Sequence, residues 1–376
     1  MEATAVGNGV TVQSTIKRTG GYALRCNPPG AAPPYGQSGA RLAGVSSQGV
    51  RDTVLAAATA YYRFYFRYAV KAGGGECELA AVLDTAWALK ISVKLTSTGK
   101  LVAFDSTNTQ MGDPGATVLS ADTWYCIGIA CGTGGTAAYS VSIDDKVELS
   151  GTGNVATVNN GGLGLGKYSA YGGQLVDYFF DDVVIDDANL PGLGEVHYLR
   201  ADSNGTDTGF EASAGQKWEC VAETPPNDVD FIGPVGGILT PQIYTAGLSA
   251  PLVTKAVEAV MAIVSVNAQA VEPLTYSKVR LRGPGGVADT TQVGPLEGFL
   301  SLPAQVSPGD GLAWTIAILS SLEAGVIYTL SDPPPVTVYM CDTIGVMVDF
   351  RETLGRPLWQ AWPLGHLLVH DHGLGV

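Results

Sequence analysis

Residues 60–70 read Ala-Tyr-Tyr-Arg-Phe-Tyr-Phe-Arg-Tyr-Ala-Val, and this stretch decides the fold class. Four aromatic side chains recur at every second position from Tyr62 to Tyr68, and two arginines occupy positions between them. Successive side chains of a strand point to opposite faces, so the pattern predicts a β-strand with an aromatic inner face. Each aromatic side chain can bury roughly 150–250 Å², enough for four of them to anchor two sheets. The first half of the chain is therefore predicted to be an antiparallel β-sandwich.

The composition indicates an all-β chain with more than one domain. The 376 residues exceed one ordinary core, charged residues make up only 15%, and there are 49 glycines and 21 prolines. Few helix formers and many turn formers favour strands. We predict a two-sheet jelly roll at residues 1–191 and a smaller β-sandwich at residues 192–350. The one helix predicted there runs from Thr315 to Glu323, with Thr315 as its N-cap.

Charge and hydropathy exclude two classes of partner. A formal net charge of −14 argues against nucleic acid, because phosphate contacts need clustered Lys and Arg. The sequence has no apolar run of about twenty residues for a membrane span. It also shows no signal segment at its start, so we expect synthesis in a cytosol. The six cysteines are scattered without a C-x-x-C motif, and we expect them to be buried free thiols.

Several short motifs between Thr15 and Leu190 resemble laminin-G-like, concanavalin-A-type jelly rolls. They are Gly21–Arg25, the strand pair from Trp87 to Leu101, Thr123–Tyr125, Ile143–Asp145 and the closing Phe180–Asp186. The resemblance implies this fold for the first domain. It does not imply one activity, because the fold hosts lectins, glycosidases and structural modules alike.

The second half resembles a module found in structural proteins of tailed bacteriophages. The motifs that carry this resemblance are Val196–Thr206, Gly215–Trp218, Glu223–Asp228, Ala313–Ile316 and Leu322–Val326. It implies a non-enzymatic virion structural protein, a capsid decoration or head-fibre protein, that assembles as a homo-oligomer and with other virion proteins through hydrophobic contacts. A tail-fibre or carbohydrate-binding attachment protein is the alternative, with a glycan as a further partner.

Two apolar stretches are predicted to be interfaces with neighbouring subunits. One is the connection at about residues 232–253, and the other is the tail at residues 351–376. Long loops are usually functional or disordered, disordered loops are usually polar, and exposed apolar stretches tend to be interfaces. The alternative is that both stretches fold back on their own domain. The contact residues expected here are Ile238, Leu239, Ile243, Tyr244, Leu358, Trp359, Trp362, Leu364, Leu367 and Leu368.

A glycoside hydrolase of the jelly-roll type is the enzymatic alternative. Retaining glucanases with a similar fold carry Glu-x-Asp-x-x-Glu on one strand, which places two carboxylates about 5 Å apart. The nearest match begins at Glu76, and Glu78 shares its face, but Ala81 occupies the third acidic position. One of the two catalytic partners is missing, so we expect no enzymatic activity.

Acidic residues near the end of the first domain are the preferred candidate metal ligands. Asp181 and Asp182 offer the hard oxygen atoms that calcium prefers, and related sandwiches often hold a structural calcium near this strand. In a regular strand the two side chains would point to opposite faces. Solvated carboxylates at a sheet edge are the alternative, and no other cofactor is expected.

Overall fold

The structure is a computed structural model in which strands make up most of the described chain, and the predicted all-β class is confirmed. Among the described residues no helix has the length and apolar character needed to cross a membrane. The structure describes residues 2–6, 10–19, 22–26, 38–43, 59–72, 75–84, 88–157, 160–167, 174–186, 189–208, 210–212, 215–216, 218–222, 232–234, 241–246, 256–269, 276–283, 286–289, 298–301, 314–319, 321–329, 338–351 and 367–369.

The chain divides into two compact units. The first comprises residues 1–46, 51–195 and 369–376, and the second comprises residues 47–50 and 196–368. The main division thus follows Glu195, a short distance beyond the boundary that we expected after residue 191.

The first unit contains two antiparallel sheets. Sheet A has the strand order β1-β4-β13-β6-β7-β8-β9, and sheet B has the order β12-β11-β10-β5-β14-β3-β2. In chain order these strands are β1 (Glu2–Val6), β2 (Val10–Gln13), β3 (Ala23–Cys26), β4 (Ser38–Ala43), β5 (Thr59–Ala72), β6 (Cys77–Asp84), β7 (Leu89–Leu95), β8 (Leu101–Asp105), β9 (Gln110–Met111), β10 (Tyr125–Gly132), β11 (Ala137–Ile143), β12 (Lys146–Gly153), β13 (Asn160–Lys167) and β14 (Gln174–Asp186).

The aromatic stretch forms the central strand of sheet B, as predicted. Strand β5 pairs with β10 on one side and β14 on the other. Tyr62, Phe64, Phe66 and Tyr68 are all buried. The ring of Phe180, from β14, lies 5.7 Å from the ring of Phe64 and 5.6 Å from that of Phe66, centre to centre. Offset and edge-on aromatic contacts of this kind stabilise beyond the area that they bury, so the inner face of β5 is a principal anchor of the sandwich.

The second unit is built on one further antiparallel sheet. Its order is β16-β17-β24-β15-β18-β23-β20-β21, with β19 pairing with both β24 and β22. Trp314, Leu319, Val326, Val346 and Phe350 are among its buried core residues. The elements are β15 (Gly194–Thr208), β16 (Phe210–Ala212), a 3-10 turn (Glu219–Val221), β17 (Ile232–Pro234), β18 (Pro241–Ala246), β19 (Ala256–Gln269), β20 (Tyr276–Gly283), β21 (Gly286–Asp289), β22 (Gly298–Ser301), α1 (Ile316–Leu319), β23 (Glu323–Thr329) and β24 (Val338–Arg351).

The predicted helix at Thr315–Glu323 is present but much shorter. Helix α1 covers only Ile316–Leu319, and the hydroxyl of Thr315 accepts a hydrogen bond from the Ile318 amide at 3.2 Å, as an N-cap does. Glu323 instead begins β23, which pairs with β18 and β20. Hydrogen bonding to a neighbour on each side outweighs local helix propensity, and this tertiary pairing ends the helix early.

The residues expected at subunit interfaces are only partly described. Ile243 and Tyr244 lie in β18, paired with Gly325 and Ala324 of β23. Leu367 and Leu368 belong to a last short strand, β25 (Leu367–Val369). The other six lie outside the described residues: Ile238, Leu239, Leu358, Trp359, Trp362 and Leu364. The interface role of all ten stays a prediction.

Candidate functional site

Sheet A carries a row of polar side chains on the side facing away from sheet B. Val93 is fully buried in the sandwich, so its neighbours Ser92 and Lys94 point to the opposite side of the sheet. Glu78 pairs directly with Lys94, and Phe104 pairs directly with Ser92. Residues that face each other across strands share one side of a sheet. We call this side the polar face of sheet A.

Lys94 is the centre of the polar face. Its ammonium nitrogen lies 3.7 Å from the centre of the Phe104 ring, a cation–π contact. The same nitrogen donates a hydrogen bond to Asn108 Oδ1 at 2.7 Å. Phe104 is buried while Asn108 is exposed, so the ammonium is held at the boundary between the sheet and solvent.

Two carboxylates act on Lys94 as well. Burial lowers the pKa of the Lys94 ammonium, and the charges of Glu76 and Glu78 oppose this shift. Glu78 is buried, whereas Glu76 is half-buried. The common effect on Lys94 agrees with the expectation that the two glutamates share one face. An ammonium, two carboxylates, an amide and an aromatic ring therefore occupy one small part of the sheet.

The rest of the polar face is short of side chains. Ala81 pairs with Ser92, which places only a methyl group at the position where the glucanase motif would carry its second carboxylate. Gly164 pairs with Ala81 on the other side, so strand β13 adds no side chain there. The hydroxyl of Ser92 is buried and has no hydrogen-bond partner among the described residues. The Ser92 hydroxyl is therefore available to hydrogen-bond a polar group of a bound molecule.

Asp181 and Asp182 lie on the outer face of sheet B. Both are buried, so they are not solvated carboxylates at a sheet edge. The backbone amides of Arg18 and Thr19 donate to Asp181 Oδ2 at 2.8 Å and 3.2 Å. The Arg18 guanidinium donates to Asp182 Oδ2 at 2.7 Å, and the Thr19 hydroxyl donates to Asp182 Oδ1 at 2.5 Å. A β-bulge follows Asp181, and Asp182 has a φ of 50°. This irregularity brings neighbouring side chains to the same group of donors.

These contacts do not fit a calcium ion. Burial and the neighbouring Asp182 raise the pKa of Asp181 to about 8, which favours a protonated carboxyl at neutral pH. Calcium requires several ionised or carbonyl oxygens free to coordinate it, and here a guanidinium and hydrogen-bond donors occupy them. The described part of the chain contains no group of three or more His, Cys, Asp or Glu side chains able to hold a metal.

Comparison with known proteins gives a likeness in fold alone. No protein-family model matches the sequence, and no curated protein matches it. Among solved structures, the cellulose-induced protein Cip1 is 14% identical with a TM-score of 0.38, covering 51% of this chain and 93% of its own. An endo-β-1,4-glucuronan lyase from the fungus Trichoderma reesei is 11% identical with a TM-score of 0.38, and the match covers 50% of this chain and 90% of the lyase. A GH131 β-glucanase catalytic domain from Podospora anserina is 15% identical with a TM-score of 0.32, and the match covers 48% of this chain and 80% of the glucanase domain.

The virion assignment has to be corrected at this point. The matching structures are mainly hydrolase and lyase catalytic domains and binding domains, and nothing in them is specific to bacteriophages. The prediction of a capsid decoration or head-fibre protein is therefore wrong, while the jelly roll and β-sandwich are confirmed. Short motifs spaced by turns are common to many β-sandwiches, which is why such motifs misled the assignment. The homo-oligomer and the virion location stay predictions.

Three residues of the polar face escaped the sequence analysis. They are Lys94, Phe104 and Asn108, none of which was singled out as a site residue. The sequence did contain a signal for this contact. Phe104 lies in the strand after the Ser97–Lys100 turn, and a hairpin places that strand beside the outward side chains of β7.

Proposed function

We propose that the chain binds a carbohydrate through the polar face of sheet A. The observation that carries the proposal is the position of the Lys94 ammonium, held between the Phe104 ring and the Asn108 amide with Glu76 and Glu78 close by. A sugar hydroxyl both donates and accepts hydrogen bonds. Ammonium and amide groups can donate to it, and carboxylates can accept from it.

The charges on this face favour a neutral glycan over a polyanion. Glu76 and Glu78 place two carboxylates beside the single ammonium of Lys94. The whole chain carries a formal net charge of −14, which repels an anionic polymer further. Alternating donors and acceptors suit a chain of hydroxyl groups, so a neutral polysaccharide is the proposed ligand class.

We propose binding without hydrolysis. Retaining hydrolysis uses two carboxyl groups about 5 Å apart, one on each side of the scissile bond. Ala81 stands where the second group of that mechanism would be expected, and no other carboxylate of the described polar face replaces it. The proposed role of this face is therefore to hold a sugar and not to cleave it.

The test is calorimetric titration of the full chain with neutral and uronate-containing oligosaccharides, chosen from a glycan array. Lys94→Met and Asn108→Ala should each weaken binding of the neutral ligand about tenfold or more, equal to about 1.4 kcal/mol. Lys146→Met is the matched control, because Lys146 is an exposed lysine of sheet B and should bind normally.

Two outcomes would overturn the proposal: no glycan bound at all, or equal loss of binding in the Lys146 control. Release of reducing sugar from a bound polysaccharide, abolished by Glu78→Gln, would overturn the non-catalytic part alone.

A further inference from the structure

A second polar cluster lies inside the first unit, at one end of sheet A. It contains Asp84 at the end of β6, Lys90 in β7 and Asn160 at the start of β13. Lys90 and Asn160 are 0% exposed, and Asp84 is 6% exposed. Lysine and aspartate are almost never so deeply buried unless they are paired, so the cluster needs a physical explanation.

The pairing of strands brings these three residues together. Asn160 lies directly opposite Asp84 in the β13–β6 register, which places their β-carbons roughly 4.5–5.5 Å apart. In the β6–β7 register, consecutive partners on β6 face Leu89 and Ile91, so Lys90 is the extra residue of a β-bulge. A bulge redirects a side chain. The Asp84 charge accordingly acts on the Lys90 ammonium and opposes the lowering of its pKa by burial.

The opposite sheet fixes the orientation of the Asn160 amide. Asn160 Nδ2 donates to the Cys131 carbonyl of sheet B at 3.2 Å. The Lys90 ammonium also interacts with the Cys131 side chain, so both Lys90 and Asn160 approach the same residue. Asn160 Oδ1 is buried and has no hydrogen-bond partner among the described residues. An unmade hydrogen bond of this kind is costly inside a protein.

Burial changes the chemistry of the amine. It lowers the pKa of Lys90, which increases the fraction of neutral amine. A neutral lysine amine is a nucleophile, and proximity inside a rigid core can replace a high reactant concentration.

We propose that Lys90 and Asn160 form an intramolecular isopeptide bond, with Asp84 relaying the proton. The neutral Nζ of Lys90 attacks Cγ of Asn160 and forms a C–N bond. The Cγ–Nδ2 bond breaks, and one proton passes from Nζ through the Asp84 carboxyl group to the departing nitrogen, which leaves as ammonia. The products are a secondary amide and one ammonia molecule, and the step requires no oxidant or reductant.

The bond would give sheet A a covalent tie. It joins β7 to β13 across the intervening β6, so these three strands could no longer separate fully. The proposal is independent of glycan binding, because the cluster faces the interior of the sandwich and the polar face lies on the other side of sheet A.

Intact mass measurement of the denatured full chain tests the proposal. The expected mass is lower than that of the sequence by one ammonia, about 17 Da. Proteolysis should then yield a branched peptide that contains both Lys90 and Asn160. In Lys90→Met and in Asp84→Asn, the measured mass should equal that of the variant's sequence, with no loss of ammonia, and the branched peptide should be absent. Lys146→Met, at an exposed lysine, should keep both signals.

An alternative source of the same mass loss is distinguishable. Asn160 is followed by Gly161, and attack of the Gly161 backbone nitrogen on the side chain would also release ammonia. That product needs no lysine, so a mass loss that persists in Lys90→Met overturns the proposal. A wild-type chain of full sequence mass overturns it as well, whether or not the variants fold.

Discussion

The guanidinium carbon of Arg18 lies 3.5 Å from the centre of the Tyr65 ring on the outer face of sheet B. From this position Arg18 donates to Asp182 Oδ2 at 2.7 Å and to the Gly194 carbonyl at 2.9 Å. The Gly194 amide donates in turn to the Tyr65 hydroxyl at 3.4 Å. Arg18 and Tyr65 together fasten residues 189–195, which we call the exit segment, to sheet B.

Removing the Arg18 charge should destabilise the first unit. Arg18→Met removes one charged partner of the fully buried Asp182 carboxylate, and breaking a buried pair from one side costs about 3–5 kcal/mol. Arg18→Lys is the matched control and should lose less, since it keeps the charge but not the planar stacking on Tyr65. Urea unfolding followed by tryptophan fluorescence measures both. Equal losses in the two variants would contradict a charge-based role.

Asp181 should make the stability of the first unit depend on pH. Its pKa is raised from 3.8 to about 8, so the folded state binds this proton more tightly than the unfolded state does. The stabilisation is therefore complete below about pH 4 and is lost as pH rises through about 8, with a slope of up to about 1.4 kcal/mol per pH unit.

The Asp181→Asn variant isolates this effect because it stays neutral at every pH. The free energy of unfolding of wild type minus that of the variant should fall between about pH 5 and about pH 8. A difference that rises over the same range would show that the folded state prefers the charged carboxylate.

Gly128 should not tolerate a larger side chain, because Ser142 of β11 and Leu190 of the exit segment both lie close to it. A β-carbon added at Gly128 would lie 2.4 Å from the Ser142 hydroxyl and 3.1 Å from the methyl groups of Leu190. Gly128→Ala is expected to cost about 1–3 kcal/mol, since neighbours must shift. Adding Leu190→Ala should recover part of the loss.

Gly135→Ala is the control, because nothing lies within 4 Å of the added carbon and stability should change by less than about 0.5 kcal/mol. Thermal or chemical unfolding compares the four proteins. Equal stability of the two single variants would contradict close packing around Gly128, and no recovery on adding Leu190→Ala would contradict a contact with the exit segment.

The described cysteines should be inert in the folded protein. Cys26, Cys77, Cys126, Cys131 and Cys220 are all buried. Burial raises the pKa of both Cys126 and Cys131 to about 12, and the thiolate is the reactive form. Alkylation at neutral pH, mapped by mass spectrometry, should label these residues only after unfolding. Labelling of Cys126 or Cys131 at the same rate in folded and unfolded protein would contradict their burial.

The alternation of apolar and polar residues predicted the strands well where one face of the strand is buried. The alternation of aromatic residues from Tyr62 to Tyr68 identified β5, since only a strand puts them all on one side. Local sequence signals predicted the secondary structure less well where pairing with neighbouring strands determines it. The residues after Leu319 could continue a helix, but β18 and β20 lie on each side of them and β23 forms instead.

The sites were harder to predict because they depend on register and bulges. The contact of Lys94 with Phe104 arises between two strands, and no periodicity within one strand encodes it. Asp181 and Asp182 were expected on opposite faces, yet the bulge after Asp181 brings both to Arg18. A second bulge turns Lys90 inward, although strict alternation along β7 would put Lys90 on the same side as Lys94.

The exit segment also determines where a shortened gene can end. A recombinant first unit cut after residue 191 would lack Gly194, and with it both backbone partners of Arg18 and Tyr65. The half-buried guanidinium of Arg18 and the hydroxyl of the buried Tyr65 would then lose these hydrogen bonds. A terminus after Glu195 preserves these contacts and is the better choice for expressing that half by itself.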